Sequence, residues 1–338
     1  MARLRPIFKA KGRNWQAYTC RPLTEGVQSG EIRQYCTLAH GGYPGKRLGR
    51  SELPGVSSVG FWDIKKQLDW GLDWHRNEGI ELLFLESGRL ELGVDHQSYV
   101  MEPNDLAITR PWQLHRFGEP CIGPSRLHWI ILDVGVRRPN QAWNWPNWLV
   151  LARNDIADLT DMLRHHEEPI WRADNGLAGC FRRISAVVGR DDAQKNISHI
   201  TVYLNEAWLL VLDLLRQRRV PLDPFLSSTR RTVQLFFSDI RQNPHSLSQA
   251  WTLEDMADQC GLSTPAFVQH CKQLTNMTPM KYLNSERVKA AAEQLIHKPE
   301  LSISRIAMDY GFGSSQYFAT VFRRHLGCSP GAYRKQQA

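Results

Sequence analysis

The sequence predicts an α+β protein in two parts: a β-rich first half closed by helices, then an all-α end built on two helix-turn-helix units. Three observations carry that prediction. Short apolar segments bounded by Gly, Pro, Asn and Asp fill the first 150 residues; apolar residues at three- and four-residue spacing take over after Trp148; and one helix-turn-helix signature occurs twice near the C-terminus.

The segments 80–85, 89–94, 106–109 and 127–134 read as strands of a sandwich or barrel. Helices are expected over 155–166, 176–188 and 197–219. The last is the longest, with Val202, Leu204, Ala207, Leu210, Val211, Leu214 and Leu215 making a wide apolar face. Val220 to Pro224 holds two prolines, which cannot continue a helix, so a linker is expected there. A helix over 229–242 then opens the last domain, and Asn243-Pro244 ends it. The expected domains are a β domain over 1–150, a helical dimerisation or connecting region over 151–220 and a DNA-binding domain over 221–338.

The repeated signature runs from Leu253 through Ala257 and Gly261 to Ser263, and again from Ile303 through Ala307 to Gly311. Each copy starts an amphipathic helix and puts a small Ala where a second helix approaches. Four residues later each turns on a Gly that tolerates positive φ. Ser263 and Ser314 stand where the second helices need an N-cap hydroxyl. Phe267, Cys271, Phe318 and Phe322 are the expected buried anchors of those helices. A continuous helix over 282–297, with Leu283, Val288, Ala291, Ala292, Leu295 and Ile296 on its buried stripes, would set the spacing of the two units. Two such units in one chain imply binding to double-stranded DNA.

Charge agrees with that reading. The net charge is +8, and residues 225–338 hold 13 Lys+Arg against 8 Asp+Glu, while the larger remainder holds 29 against 26. The longest apolar run, 207–212, is far too short to cross a bilayer, and the first residues lack the apolar core of a secretory signal. Seven scattered cysteines without a CxxC pair suit reduced thiols rather than a disulfide framework or a zinc module. A cytoplasmic protein with no membrane partner is expected.

Residues 229–335 resemble the AraC/XylS family of bacterial transcription regulators. The densest part of the match, 303–333, reads ISRIAMDYGFGSSQYFATVFRRHLGCSPGAY. The resemblance implies two recognition helices entering successive major grooves. Their outward positions would be Pro265, Val268, Gln269 and Lys272 in the first, and Ser315, Gln316, Ala319, Thr320, Arg323 and Arg324 in the second. Gln269 and Gln316 suit bidentate contact with adenine; Lys272, Arg323 and Arg324 suit phosphates. Two departures stand out. Thr320 replaces a frequent Arg, and Cys271 and Asn276 replace a usual Phe and Gly, so the first recognition helix is expected to seat less tightly.

Upstream, His75-x-Asn77-x3-Glu81-x6-Gly88 follows the spacing of the first cupin motif with Asn in place of its second His, and 104–115 loosely follows the second. The resemblance therefore implies a cupin-like β-barrel serving as an effector domain, in which His75, Glu81 and His115 converge. Two His and a carboxylate could hold a divalent ion, but a metal-free pocket is the expectation, with no cofactor. Ten of the twelve tryptophans precede residue 172. Flat indoles stack on sugar rings, and Arg110, Trp112 and His115 have the composition of a sugar site, so a sugar is the expected effector.

The expectation is thus a ligand-responsive regulator, not an enzyme, working as a homodimer; the family resemblance further implies contact with RNA polymerase. Two competitors are a metal-dependent cupin enzyme fused to DNA-binding helices, and a constitutive DNA-binding protein whose barrel only dimerises. No nucleophile elbow, phosphate-binding Gly loop or HExxH supports the first.

Overall fold

The structure, a computed structural model, describes residues 21–32, 34–218 and 221–337. The expectation for the first residues of the chain, the last residue of the expected third helix, Arg219, and the first of the expected linker, Val220, lie outside the described residues. The chain divides into two compact units, Met1–Leu226 and Ser227–Ala338.

In the first unit a short helix α1 (Arg21–Gln28) precedes β1 (Gln34–Ala39), β2 (Lys46–Arg47), β3 (Val56–Ile64), β4 (Leu72–His75), β5 (Ile80–Gly88), β6 (Leu90–Val94), β7 (Gln97–Met101), β8 (Asp105–Thr109), β9 (His115–Phe117) and β10 (Ser125–Leu132). Then come α2 (Arg153–His165), a short β11 (Ile170–Arg172), α3 (Asn175–Val188) and α4 (Ile197–Arg218). The strands form a seven-stranded sheet, β11-β8-β5-β10-β3-β1-β2, facing a four-stranded sheet, β4-β9-β6-β7. This is the cupin-like β domain.

The larger sheet is buried on both faces, and side-chain alternation assigns each residue to one of two cores. On β5, Ile80, Leu82 and Phe84 face a core shared with α2, α3 and α4, where they meet Leu163, Phe181 and Trp208. Leu83 and Leu85 face the barrel interior. On β10, Ile130 and Leu132 go to the helices and Leu127, Trp129 and Ile131 go inside. The helices at 153–218 thus complete the sheet's second core rather than standing apart from it.

The second unit is all helical: α5 (Thr229–Gln242), α6 (Pro244–Ser248), α7 (Leu253–Cys260), α8 (Thr264–Thr275), α9 (Pro279–His297), α10 (Ile303–Asp309), α11 (Ser315–Leu326) and α12 (Pro330–Gln337). Pro244 ends α5 as expected but also begins α6, where a first-turn proline sacrifices no helical hydrogen bond; Asn243 caps it by accepting from the His245 N–H. Two cores serve two helix-turn-helix halves, one around Phe267 and one around Phe318.

Three buried histidines and one carboxylate make the first unit acid-sensitive. Burial holds the His166 pKa down at about 4, helped by the Arg110 charge. Burial likewise lowers His128, and lowers His75 well below its usual value. Glu86 is held at about 2, first by its hydrogen bond with His128, 2.8 Å away. Each folded-state pKa lies below its unfolded value, so the unfolded chain takes up protons first and stability falls with pH. The histidine contributions decline below pH 6.5, and the Glu86 contribution declines between 4.5 and 2. His166 alone accounts for about 2 kcal/mol between pH 6.5 and 5. Urea unfolding of the first unit at pH 7 and pH 5 should show a loss of at least that size, and His166→Gln should shrink the difference. Equal stability at both values rejects this account.

Candidate DNA-binding face and effector cavity

Each helix-turn-helix half is built from a capped first helix, a glycine turn and a seated second helix. Thr252 and Asp255 close a reciprocal capping box on α7. Gly261 turns at φ 64° and Gly311 at φ 74°. At Gly311 the requirement is also steric, because a Cβ would stand 2.4 Å from the Ser248 carbonyl oxygen.

The second helices, α8 and α11, carry the expected contact residues. Pro265, Gln269 and Lys272 are exposed on α8, with Val268 half-buried; Gln316, Thr320, Arg323 and Arg324 are exposed on α11, with Ser315 and Ala319 half-buried. Ser314 caps α11 through the Tyr317 N–H at 3.2 Å. Ser263 occupies the cap position of α8 but its hydroxyl makes no capping bond, since Pro265 in the first turn removes one of the N–H groups it would serve. The two departures in the first half are accommodated. Asn276 takes the left-handed conformation itself, at φ 58°, as the residue type that most readily replaces Gly there. Cys271 is fully buried, with its Sγ 3.2 Å from the Met277 carbonyl, so α8 is seated. Thr320 bonds its hydroxyl back to the Gln316 carbonyl at 3.0 Å.

One residue of this unit is absent from the sequence reading. Arg287, 6% exposed, sends Nε to the Leu247 carbonyl (2.9 Å), Nη2 to Gln249 (2.6 Å) and Nη1 to Gly311 (2.9 Å). It ties α9 to the end of α6, to the loop that follows it and to the turn of the second half. Its spacing was a usable signal, because Leu283, Arg287, Ala291 and Leu295 recur every four residues on the buried stripe.

In the barrel, β4 and β9 pair so that His75 and His115 lie opposite one another, with ring centroids 4.2 Å apart. Glu81 reaches them from β5 in the other sheet. Its Oε2 lies 3.0 Å from His115 Nε2 and accepts from Asn77 Nδ2 at 2.9 Å. All four side chains are buried. His75 Nδ1 donates to the Asp73 carbonyl at 2.7 Å and His115 Nδ1 to that of Gln113 at 2.8 Å. Beside them lies a cavity of about 40 Å³, lined by His75, Asn77, Glu81, Ser58, Trp62 and Trp129 together with Tyr35, Tyr43 and aliphatic side chains.

His75, Glu81 and His115 therefore come together. Arg110 and Trp112 do not line this cavity. The Arg110 guanidinium donates to the His166 carbonyl and lies 4.0 Å from Asp95. Trp112, at φ 62°, donates its indole N–H to the Val136 carbonyl at 2.7 Å. Trp62 and Trp129 are the tryptophans that reach the cavity, and their parity with Ile64, Leu127 and Ile131 along the strands is what marks them as inward. Among the described residues no three His, Cys, Asp or Glu side chains are disposed to hold a metal ion; the inward His–Glu set is engaged with itself.

Similarity to known proteins follows the same division. A family described as a helix-turn-helix domain matches residues 256–336, and one described as a cupin domain matches residues 62–131. The MmsAB operon regulatory protein of Pseudomonas aeruginosa is 33% identical over 83% of this chain and 82% of its own length. The chain belongs to the AraC/XylS family of transcription regulators. The HTH-type transcriptional activator RhaR of Klebsiella pneumoniae is 32% identical over half of this chain; the match spans 59% of RhaR. VirF of Yersinia enterocolitica, a virulence regulon transcriptional activator, is 25% identical over 77% of this chain and 90% of its own length. The fold, with a cupin-like domain before a double helix-turn-helix, is the AraC/XylS arrangement that the sequence motifs imply.

Removing the Arg287 donors tests the tie between the halves. Arg287→Met keeps the length but leaves three carbonyls without their partner, at roughly 1–3 kcal/mol each. The unfolding free energy of the C-terminal unit should fall by about 3 kcal/mol or more, read by urea denaturation. A loss below about 1 kcal/mol would show that water replaces the guanidinium freely.

Proposed function

We propose that this chain is an effector-responsive, sequence-specific transcription regulator acting in the cytoplasm as a homodimer, and that it is not an enzyme. The observation that carries the reading is the pair of seated second helices, α8 and α11, each turning polar side chains to solvent behind a buried Phe anchor. Gln269 and Gln316 would read bases, and Lys272, Arg323 and Arg324 would hold phosphates. Pro265, Val268, Ser315, Ala319 and Thr320 would complete the contact surface. RNA polymerase is the proposed further partner, in line with the activators RhaR and VirF among the relatives. The direction of regulation depends on where the operator lies.

Dimerisation is proposed through α4. Val202 and Leu209, seven residues apart on that helix, are 62% and 44% exposed. Val150, 79% exposed, joins them because its N–H bonds Asn205 Oδ1 at 2.7 Å. A helical stripe of exposed apolar residues next to a further apolar side chain suits a partner helix.

The barrel is proposed as the effector receptor. Binding regulates only if the effector prefers one arrangement of the protein over another. A sugar is one reading of its ligand, favoured by the indoles of Trp62 and Trp129 at the cavity.

Selection from a random duplex pool with the full chain tests the DNA-binding reading. An enriched motif with two half-sites per chain is expected, and a pool that stays random at physiological salt would sink it. Gln316→Ala should cost about 1–3 kcal/mol and relax preference at one position, whereas Arg323→Ala should weaken all sequences alike and lower the salt slope by about 1. For the dimer, sedimentation of the double variant Val202→Glu, Leu209→Glu should give a monomer where the parent chain gives a dimer. An unchanged dimer would move the interface elsewhere.

A further inference from the structure

A short series of hydrogen bonds joins the barrel interior to the linker, and it passes through a turn that has two available shapes. This step rests on the barrel being the effector receptor, and it concerns how occupancy would reach the linker.

The turn is Arg110–Gln113, between β8 and β9. The Gln113 N–H donates to the Arg110 carbonyl at 3.0 Å, Pro111 holds the second position, and Trp112 at the third has φ 62°. Those are the features of a type II β-turn, whose third position calls for Gly or Asn. A type I turn over the same four residues would return Trp112 to negative φ, where a bulky side chain belongs, and Pro111 suits both. The two shapes differ by rotation of the peptide between Pro111 and Trp112, which is the peptide that carries the Trp112 N–H.

That N–H is bonded to the barrel. It donates to the Asn77 carbonyl at 2.8 Å, and Asn77 lines the cavity. His115, packed on His75 and paired with Glu81, donates from Nδ1 to the Gln113 carbonyl at 2.8 Å. On its other side the turn is held by the bond from the Trp112 indole to the Val136 carbonyl. Together these bonds keep a left-handed backbone that local preference opposes. The cavity, about 40 Å³, has room for little beyond water, so a larger effector must displace the lining to which Asn77 and His75 belong.

The far side of the turn reaches α2. The Arg110 N–H donates to Gln113 Oε1 at 3.0 Å, so the root of this side chain follows the turn. Its Nη1 donates to the carbonyl of His166, the residue that ends α2, where carbonyls lack helical partners and a cation is favoured. The neighbouring His165 carbonyl accepts from the Asp223 N–H at 2.7 Å. Asp223 also organises the linker beyond it. Its carboxylate accepts from the Phe225 N–H at 2.9 Å and its carbonyl from the Leu226 N–H at 3.1 Å, which starts the 3₁₀ turn Pro224–Ser227 ahead of α5. The linker is thus pinned to the carbonyl next to the one that Arg110 holds.

We propose that the Arg110–Gln113 turn is a switch between the barrel and the linker. An occupant that breaks the Trp112 bond to Asn77 lets the turn relax to type I, and Arg110 then releases the end of α2 on which Asp223 is pinned. The turn is the two-state element, and both the cavity and the linker bias it.

Amide hydrogen exchange on the full chain, read at Asp223 without ligand, tests this through a pair of substitutions. Trp112→Gly and Trp112→Ala both remove the indole, but only glycine accepts the left-handed φ freely. Exchange at Asp223 should be roughly fivefold or more faster in Trp112→Ala than in Trp112→Gly. In an Arg110→Met background the pair should exchange alike, because the arm that transmits the difference is gone. Amides of β5 and β10 stay protected in every folded variant and serve as the reference. Arg110→Gln takes the place of the methionine variant if that one does not fold. Equal exchange in the Trp112 pair overturns the proposal, and so does a difference that survives without Arg110. The cycle uses no ligand, so its failure removes the switch and leaves the receptor reading standing, whereas that reading fails on binding measurements alone.

Discussion

A sheet buried on both faces is the constraint on which the first unit depends. Successive residues of β5 and β10 point to opposite sides, so each strand serves a helix-backed core and the barrel interior at once. A shift of one residue in register would turn Glu81 into the helical core and Leu82 into the cavity. Pairing of Glu81 with Thr109 on one side and Ile131 on the other fixes that register. The position of a single buried carboxylate is thus set by the packing of α2, α3 and α4 on the opposite face. Burial without solvent also explains why His128 and Glu86 hold each other, with Ser185 on α3 and Arg182 beside them: polar groups at the sheet–helix boundary must find partners there.

The second unit solves a different problem, how to hold two short helix-turn-helix halves that each bury too little to be stable alone. Separate clusters around Phe267 and Phe318 supply the apolar term, and α9 contributes to both. Arg287 adds direction. Its planar fork fits three carbonyls whose positions are otherwise unrelated in sequence, and one of them belongs to a glycine that has no room for a side chain. A buried guanidinium that found only one of these partners would be a liability, so its three bonds fix geometry more than they add stability.

What the sequence made legible follows from this division. The helices of both units were readable because each buries one stripe, and spacing of three and four survives in 155–166, 176–188 and 197–219 as well as in the repeated signature. Strand β3 was not readable. All nine of its residues are buried, so VSSVGFWDI shows no alternation of apolar and polar types, and its central Gly and serines imitate a turn. The inward set His75, Glu81 and His115 was legible from motif spacing, since three residues on adjacent strands need only the correct parity to meet. Arg110 and Trp112 share with that set only a composition that suits a sugar. Composition does not fix direction: Trp112 sits at positive φ in the turn before β9, and its indole leaves for the Val136 carbonyl. Arg287 was hidden by its residue type, because Arg on a helix usually reads as a solvated position even where the four-residue stripe runs through it.

The size of the barrel cavity bears on how strongly any occupant could act. A ligand small enough for this cavity can gain at most roughly 1.5 kcal/mol per non-hydrogen atom, and commonly far less. Driving a two-state equilibrium from one extreme to the other takes about 5.5 kcal/mol of differential binding. A compact effector approaches that figure only if nearly all its binding energy discriminates between the two states. The features suited to such discrimination are those that exist in one packing of the barrel alone: a buried Glu81 carboxyl group held by Asn77 and His115, and indole faces fixed by bonds to Ser58 and Ser125. An apolar pocket that merely loosened would bind a small molecule in either state and switch nothing. The polar network around Glu81 is therefore the part of the barrel that can make a small ligand's affinity depend on conformation, because disturbing it leaves a buried carboxylate without partners.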